Sequence, residues 1–169
     1  MKIIPCKWKH HAALAELGAS TFYETFRPHN SEEDMQAYLA NTYTPALVQA
    51  NLKKIGIHYF LGYDNLGDQG YIKLIENPEG INLEGKIMEL EKIYVRSSAQ
   101  GSGLAKLLME QATTLSKQLG FDYLYLGVWQ ENTRAIAFYK KNGFEIFDTR
   151  KFQLGSHWCE DYLLSLKLT

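Results

Sequence analysis

Apolar residues recur along the chain at two spacings, and these spacings predict alternating helices and strands. The clearest helical spacing covers 104–119, where leucines and alanines return every three or four positions, and Gly120 follows as a terminating glycine. Further helices are predicted at about 11–22 or beyond, after a cap at Asn30 or Ser31, at about 44–54 and at 133–141. Glu32, Glu33 and Asp34 then fall in a first helical turn, where carboxylates favour the helix dipole.

Shorter runs rich in aromatic and β-branched residues predict the strands. They cover a short N-terminal segment, 58–63, 71–75, 86–95, 123–129, 145–152 and 158–167. Parallel strands need a crossover, so the helix at 104–119 predicts one parallel step between the strands at 86–95 and 123–129. The expected fold class is mixed α/β, a mostly antiparallel sheet of about seven strands flanked by helices, in a single domain over 1–169.

Composition and charge exclude several classes of protein. Of 169 residues, 46% are hydrophobic and 22% charged, which is typical of a globular chain, and 18 basic residues balance 19 acidic ones. This balance gives no electrostatic basis for binding nucleic acid or a membrane surface. The N-terminal apolar run is broken by Pro5 and Lys7, unlike a signal peptide. A cytoplasmic protein is expected, with Cys6 and Cys159 reduced, although their spacing leaves a disulfide open. The five histidines share no ligand spacing, so no metal site is expected.

A strand, a glycine-bearing loop and a helix follow one another over 90–105. Backbone N–H groups at the start of a helix, with the helix dipole behind them, form a binding site for phosphate groups. The nucleotide-binding motif GxxxxGK[ST] is absent, and Lys106 stands where a dinucleotide fingerprint has glycine or alanine. Taken alone, the loop is equally well explained as a strand-to-helix turn that needs glycine.

A second segment, at 132–144, makes the pattern specific. The loop matches Q/R-x-x-G-x-G/A through Gln100, Gly103 and Ala105, and the second segment contributes Asn132, Ala135, Phe138, Tyr139, Gly143 and Phe144. Together these segments resemble the GNAT superfamily of acetyl-CoA-dependent N-acetyltransferases, which implies acetyl-CoA as cosubstrate. A bulge near residue 93 is also implied, which separates that strand from its neighbour and admits the cosubstrate.

The resemblance implies a role for each matched position. The backbone of Ile93, Tyr94 and Val95 pairs with the pantetheine arm, and Asn132 contacts the same arm. Tyr139 directs its hydroxyl at the thioester sulfur as general acid, although an aromatic residue in this helix also fits the core. Backbone amides bind the pyrophosphate from Gln100, Gly101, Ser102, Gly103, Leu104, Ala105 and Lys106.

An acceptor amine with a pKa of about 10 is protonated at neutral pH, so acetyl transfer needs a general base. Glu89 and Glu91 are two residues apart and share one face of their strand unless a bulge intervenes. By resemblance, Glu89 matches the base of histone-type members and Glu91 that of animal spermidine/spermine acetyltransferases. Either carboxylate is also explained as a solvated strand residue, and the choice between them stays open.

The N-terminal half resembles the bacterial PaiA-type spermidine/spermine N-acetyltransferases over 21–26 and 30–39, as do 126–132 and a closing pattern over 152–161. A small primary amine such as a polyamine is therefore the expected acceptor. Phe22, Tyr23 and Phe26 are candidates for an acceptor slot, because aromatic faces attract ammonium groups. The alternatives are acetylation of a protein N-terminus or lysine, and a non-catalytic regulator that binds acetyl-CoA. A homodimer is common in the superfamily.

Overall fold

The computed structural model describes residues 1–154 and 157–168, and in these ranges the strands form a seven-stranded sheet flanked by five α-helices. The α-helices and strands have the following bounds: β1 Lys2–Pro5, α1 His11–Phe26, α2 Glu32–Thr42, α3 Pro45–Leu52, β2 Ile57–Asp64, β3 Gly67–Glu76, β4 Ile87–Val95, α4 Leu104–Gln118, β5 Tyr123–Trp129, α5 Thr133–Lys141, β6 Glu145–Leu154 and β7 His157–Lys167. Every helix and strand expected from the sequence is present. None of the helices in the described ranges is long and apolar enough to cross a bilayer.

Local side chains explain where the helices begin and end. The Ser31 hydroxyl accepts a hydrogen bond from the Asp34 amide at 3.1 Å, so Ser31 rather than Asn30 caps α2. Thr44 caps α3 in the same way, and Pro45 occupies its first turn. After α4, Gly120 adopts φ +75°, the left-handed conformation that ends many helices.

The sheet has the order β1-β2-β3-β4-β5-β7-β6. All neighbouring strands are antiparallel except β4 and β5, whose parallel pairing confirms the step predicted from the crossover helix. The mostly antiparallel α/β fold is therefore confirmed. β7 lies between β5 and β6, so the last hairpin is inserted with its second strand towards the centre of the sheet.

Strands β4 and β5 separate after a short paired stretch. They pair only at Ile87–Glu89 with Tyr123–Tyr125, where Glu89 lies opposite Tyr125. On its other side β4 has a bulge, because Lys73 lies opposite Lys92 whereas Leu74 lies opposite Leu90, which leaves Glu91 as the extra residue. The bulge thus lies two residues before the position implied by resemblance. From Leu90 onwards a gap opens between β4 and β5.

Two hydrophobic layers hold this sheet. Leu104 and Leu108 of α4 pack with Leu124 of β5 on one face, and all three are fully buried. Leu17 of α1 and Tyr71 of β3 belong to the layer on the opposite face, beneath α1, α2 and α3. The gap between β4 and β5 is therefore bordered by α4 and α5 on one side and by the first three helices on the other.

Candidate active site

The gap exposes one backbone edge of β4. Residues 93–95 form their strand pairs with β3, through Ile72, Tyr71 and Gly70, while the β5 side of this stretch pairs with no strand in the described chain. Unpaired N–H and C=O groups along such an edge can accept an extended, amide-containing ligand as an additional strand. Ile93, Tyr94 and Val95, which the resemblance assigns to the pantetheine arm, lie along this edge.

The loop before α4 presents backbone amides to open space. Gly101 and Gly103 have φ +84° and +89°, and a Cβ added to either residue would meet no atom of the described residues within 4 Å. Gly103 occupies the N-cap position and has no side chain to satisfy the first amides of α4, which has no acidic residue in its first turn. Ser102 stabilises the turn, since its hydroxyl donates to the Ala99 carbonyl at 2.6 Å and accepts from the Leu104 amide at 3.3 Å. This geometry fits a pyrophosphate group.

Helix α5 places two of the predicted residues beside the same gap. The Asn132 side-chain oxygen accepts from the Ala135 amide at 3.1 Å and so caps α5. This contact leaves the amide nitrogen of Asn132 able to donate to a ligand. Tyr139 is buried with Phe138 and Phe144, and burial raises the pKa of its phenol above the ordinary value, so the hydroxyl stays protonated at neutral pH. A protonated phenol can act as a proton donor.

The two candidate bases lie on β4 in different surroundings. Glu91 forms an ion pair with Lys73, whose side chain is 8% exposed. Glu89 is half-buried at the last paired position before the strands separate, and its Oε1 accepts from the Tyr125 hydroxyl at 2.9 Å. Burial, more than any other cause, raises the pKa of Glu89. The two carboxylates therefore differ, since Glu91 is ion-paired and Glu89 is partly desolvated.

On the side of α1 and α2, the gap opens into a cleft of about 660 Å³. Its aromatic lining is formed by Phe22, Phe26, Tyr38, Tyr94, Trp129, Phe152 and Trp158. Its charged lining consists of Glu91, Glu131, Glu160, Asp161, Lys92 and Arg150. The volume falls within the roughly 300–1,000 Å³ of small-molecule sites, and four carboxylates against two cations favour a positively charged ligand.

Two of the three aromatic residues proposed for the acceptor slot line this cleft. Phe22 stacks on Tyr38 with ring centroids 4.3 Å apart, and Phe26 lies 6.3 Å from the ring of Trp129. Tyr23 is placed differently from its prediction, because its hydroxyl donates to Glu32 at 2.7 Å, away from the cleft lining. Successive helical residues point in different directions, so Tyr23 turns away from its neighbour Phe22.

Several residues that line the cleft are not predicted as site residues from the sequence. Arg150 and Asp161 form an ion pair between β6 and β7, and Arg150 also packs across Gly127 of β5. A glycine inside a strand is a sequence signal for such a close approach. Of the closing pattern over 152–161, Gly155 lies outside the described residues. Cys159 also lines the cleft. Cys159 and Cys6 are both free thiols, so they do not form the disulfide that their spacing in the sequence allowed.

The site can therefore hold an extended, phosphate-bearing ligand between β4 and β5, which the resemblance implies to be acetyl-CoA, and a cationic ligand in the cleft beside it. In the described residues, no group of three or more His, Cys, Asp or Glu side chains is placed to bind a metal ion. Of the residues predicted as base or acid, Glu89 and Glu91 lie on β4 and Tyr139 lies on α5.

Comparison with known proteins agrees with this geometry. The chain matches the acetyltransferase (GNAT) family over residues 19–144. It is 32% identical over 171 residues to an uncharacterised N-acetyltransferase from the pepI 3′ region of Lactobacillus delbrueckii subsp. lactis, covering 99% of this chain and 98% of the relative.

Solved structures share the whole fold. A PaiA N-acetyltransferase from Thermoplasma acidophilum in complex with coenzyme A superposes with a TM-score of 0.79 at 21% identity, covering 99% of both chains. A ribosomal-protein-alanine N-acetyltransferase from Brucella melitensis gives a TM-score of 0.73 at 18% identity, over 99% of this chain and all of the other. With the family match over three quarters of its length, the chain belongs to the GNAT family and is an acetyl-CoA-dependent N-acetyltransferase.

Proposed function

We propose that the protein acetylates a small cationic primary amine of the polyamine type, such as spermidine or spermine, with Glu89 as general base and Tyr139 as general acid. The observation that carries this proposal is the cleft, which combines aromatic walls with an excess of carboxylates and begins where β4 and β5 separate. The site acts on the acceptor nitrogen and on the thioester sulfur.

Acetyl-CoA supplies the acetyl group as a thioester. Glu89, directly or through one water, removes a proton from the acceptor ammonium and so frees the nitrogen lone pair for attack. The Tyr139 hydroxyl donates a proton to the sulfur while the new N–C bond forms and the C–S bond breaks. The nitrogen then loses its surplus proton, which returns through water to the Tyr139 phenolate, and Glu89 releases to solvent the proton that it took. The amides at Gly101 and Gly103 and the free edge of residues 93–95 hold the phosphate and amide groups in register with these two side chains.

The surroundings favour Glu89 over Glu91 as the base. A general base works best when its pKa lies close to the operating pH, and the pKa of Glu89 is raised by burial. Glu91 is engaged in an ion pair with Lys73, so its carboxylate is less free to take the proton, and we assign it to the wall of the acceptor cleft instead.

Residues in the outer part of the cleft can bind a second ammonium group of the acceptor. Glu131 and Glu160 are exposed and both line the cleft, where the amide of Gln130, the neighbour of Glu131, donates to the Glu160 carbonyl at 3.0 Å. Within 1–154 and 157–168, no ion pair engages either carboxylate, whereas Glu91 and Asp161 are paired with Lys73 and Arg150. Trp129 and Trp158 flank them with aromatic faces, which suit a distal ammonium.

A matched pair of acceptors tests the proposal. Putrescine and aminobutanol have similar length and one amine in common, but only putrescine has a distal ammonium. We expect faster release of CoA with putrescine and spermidine than with aminobutanol. The Glu131→Gln and Glu160→Gln variants should raise KM for putrescine by roughly 1.5- to 5-fold each, as for exposed ion pairs, and should leave KM for aminobutanol unchanged. Glu145→Gln, an exposed carboxylate at the start of β6, is the control.

Each alternative gives a different result in the same assay. Equal turnover of putrescine and aminobutanol would contradict the cationic slot. Release of CoA with peptides and with none of the amines would favour the protein acetyltransferase. Binding of acetyl-CoA without release of CoA to any acceptor would favour the non-catalytic regulator.

A further inference from the structure

Four strands each contribute to a connected polar group beneath the cleft. Glu89 on β4 accepts from the Tyr125 hydroxyl on β5 at 2.9 Å, and that hydroxyl accepts from Arg150 Nη1 on β6 at 3.4 Å. Arg150 Nε in turn donates to Asp161 Oδ2 on β7 at 3.4 Å. We propose that Arg150 is a positioning residue that acts on Glu89 through the Tyr125 hydroxyl, so that the carboxylate is held ionised and aimed at the gap. This inference rests on the proposed role of Glu89 as the base.

The order of the strands creates this chain of contacts. Glu89 and Tyr125 are opposite partners in the β4–β5 pairing, and Arg150 and Asp161 are opposite partners in the β6–β7 pairing. Because β7 lies between β5 and β6, the Arg150 side chain must reach across β7 to meet Tyr125. Asp161, which is 11% exposed, fixes the guanidinium on the way.

Gly127 makes room for this reach. A Cβ on Gly127 would lie 2.6 Å from Arg150 Nη2 and 3.1 Å from its Cζ, so the guanidinium packs directly over the strand backbone. Tyr125 is 1% exposed, and its hydroxyl lies within hydrogen-bond distance of both Glu89 and Arg150. The Arg150 side chain is 42% exposed, and its packing over Gly127 directs the guanidinium towards Tyr125.

The electrostatic effect has a definite sign. Burial raises the pKa of Glu89, whereas the hydrogen bond from Tyr125 and the charge of Arg150 lower it. The remaining charged neighbours are Glu91 on the same strand, which raises the pKa, and Lys73 on β3, which lowers it. The loop between β3 and β4 covers this side with apolar residues, Ile81 and Leu83. Loss of Arg150 therefore moves the ionisation of Glu89 to higher pH.

The pH dependence of kcat/KM for acetyl transfer to spermidine tests the inference. Arg150→Gln should move the acid limb to higher pH, so that the rate on the acid side falls by at least about threefold while the alkaline plateau stays within about twofold of the wild type. Arg150→Lys, which retains the charge, should restore part of the shift. Tyr125→Phe should move the limb in the same direction, and combination with Arg150→Gln should add less than the sum of both.

Gly127→Ala provides a variant that leaves the charge in place. The added Cβ displaces the flexible end of Arg150, so the limb should move as in Arg150→Gln although no ionisable group has been changed. Lys151→Gln, the neighbouring exposed cation on β6, is the control and should retain the wild-type profile.

The outcomes separate this inference from the proposed function. If Glu89→Gln retains wild-type activity, Glu89 is not the base and the proposed mechanism fails. If Glu89→Gln is inactive but Arg150→Gln and Gly127→Ala leave the acid limb in place, only the positioning role is overturned. A rise in KM for spermidine at every pH, without movement of the limb, would make Arg150 an acceptor-binding residue and would likewise overturn it.

Discussion

Three glycines of similar backbone geometry allow the phosphate site to be tested apart from stability. Gly101, Gly103 and Gly120 have φ of +84°, +89° and +75°, and within the part of the chain that the structure describes, a Cβ on any of them would meet no atom within 4 Å. Substitution by alanine therefore costs only the left-handed conformation, about 1–2 kcal/mol at each position. For a chain of this length that lowers Tm by roughly 2–8 °C in all three variants.

Binding of CoA should distinguish the three variants. A Cβ at Gly101 or Gly103 stands on the open side of the loop, where it blocks approach of the pyrophosphate to the amides. Loss of one charge-assisted hydrogen bond, about 1.5–3 kcal/mol, raises the Kd of CoA by roughly 10- to 150-fold. Gly120 lies at the opposite end of α4, so Gly120→Ala should bind CoA as the wild type does. Titration calorimetry measures Kd and a thermal melt measures Tm. Equal CoA affinity in all three variants would refute the placement of the phosphate site.

Other predictions concern the acid and the contacts that hold the fold around the site. Tyr139→Phe should lower kcat by roughly 10²–10⁴-fold with little change in the Kd of CoA, and an unchanged kcat would remove the general-acid role. Lys73→Met should destabilise the protein by about 1–3 kcal/mol in urea unfolding, because it leaves Glu91 unpaired. The Lys73→Met, Glu91→Gln double variant should regain part of that loss, and additive losses would argue against a coupled pair. Ser31→Ala should cost about 1 kcal/mol through loss of the α2 cap, and wild-type stability would contradict the capping contact.

Local patterns in the sequence predict most of the fold. The spacing of apolar residues defines α4, the glycine at 120 ends it, and the crossover it forms predicts the parallel pairing of β4 with β5. The insertion of β7 between β5 and β6 cannot be predicted from local patterns, because either strand of an antiparallel hairpin can pair with the edge of the sheet. The position of the bulge at Glu91 is likewise set by the register of β3 against β4, which joins residues distant in sequence.

Some residues of the site can be predicted from sequence motifs, whereas others come together only in the assembled sheet. Residues 93–95, the loop glycines and Tyr139 lie in contiguous motifs, so the sequence places them together. The contacts of Arg150 with Tyr125 and Asp161 join three strands whose order follows from the assembled sheet. For Tyr23 the residue type is misleading. An aromatic side chain suits the acceptor slot, but the position of Tyr23 on α1 directs its hydroxyl to Glu32 instead. The expected homodimer and cytoplasmic location stay predictions.

The pH dependence of acetyl transfer by Glu89→Gln, compared with Glu91→Gln, tests the central claim most directly. Glu89→Gln should reduce kcat/KM for spermidine by roughly 10²–10⁴-fold and abolish the acid limb of the profile, because the group that removes the proton is gone. Glu91→Gln should retain the limb, with its main effect on KM. An acid limb that survives in Glu89→Gln at near wild-type rate, or one that disappears only in Glu91→Gln, would contradict the assignment of Glu89 as the base.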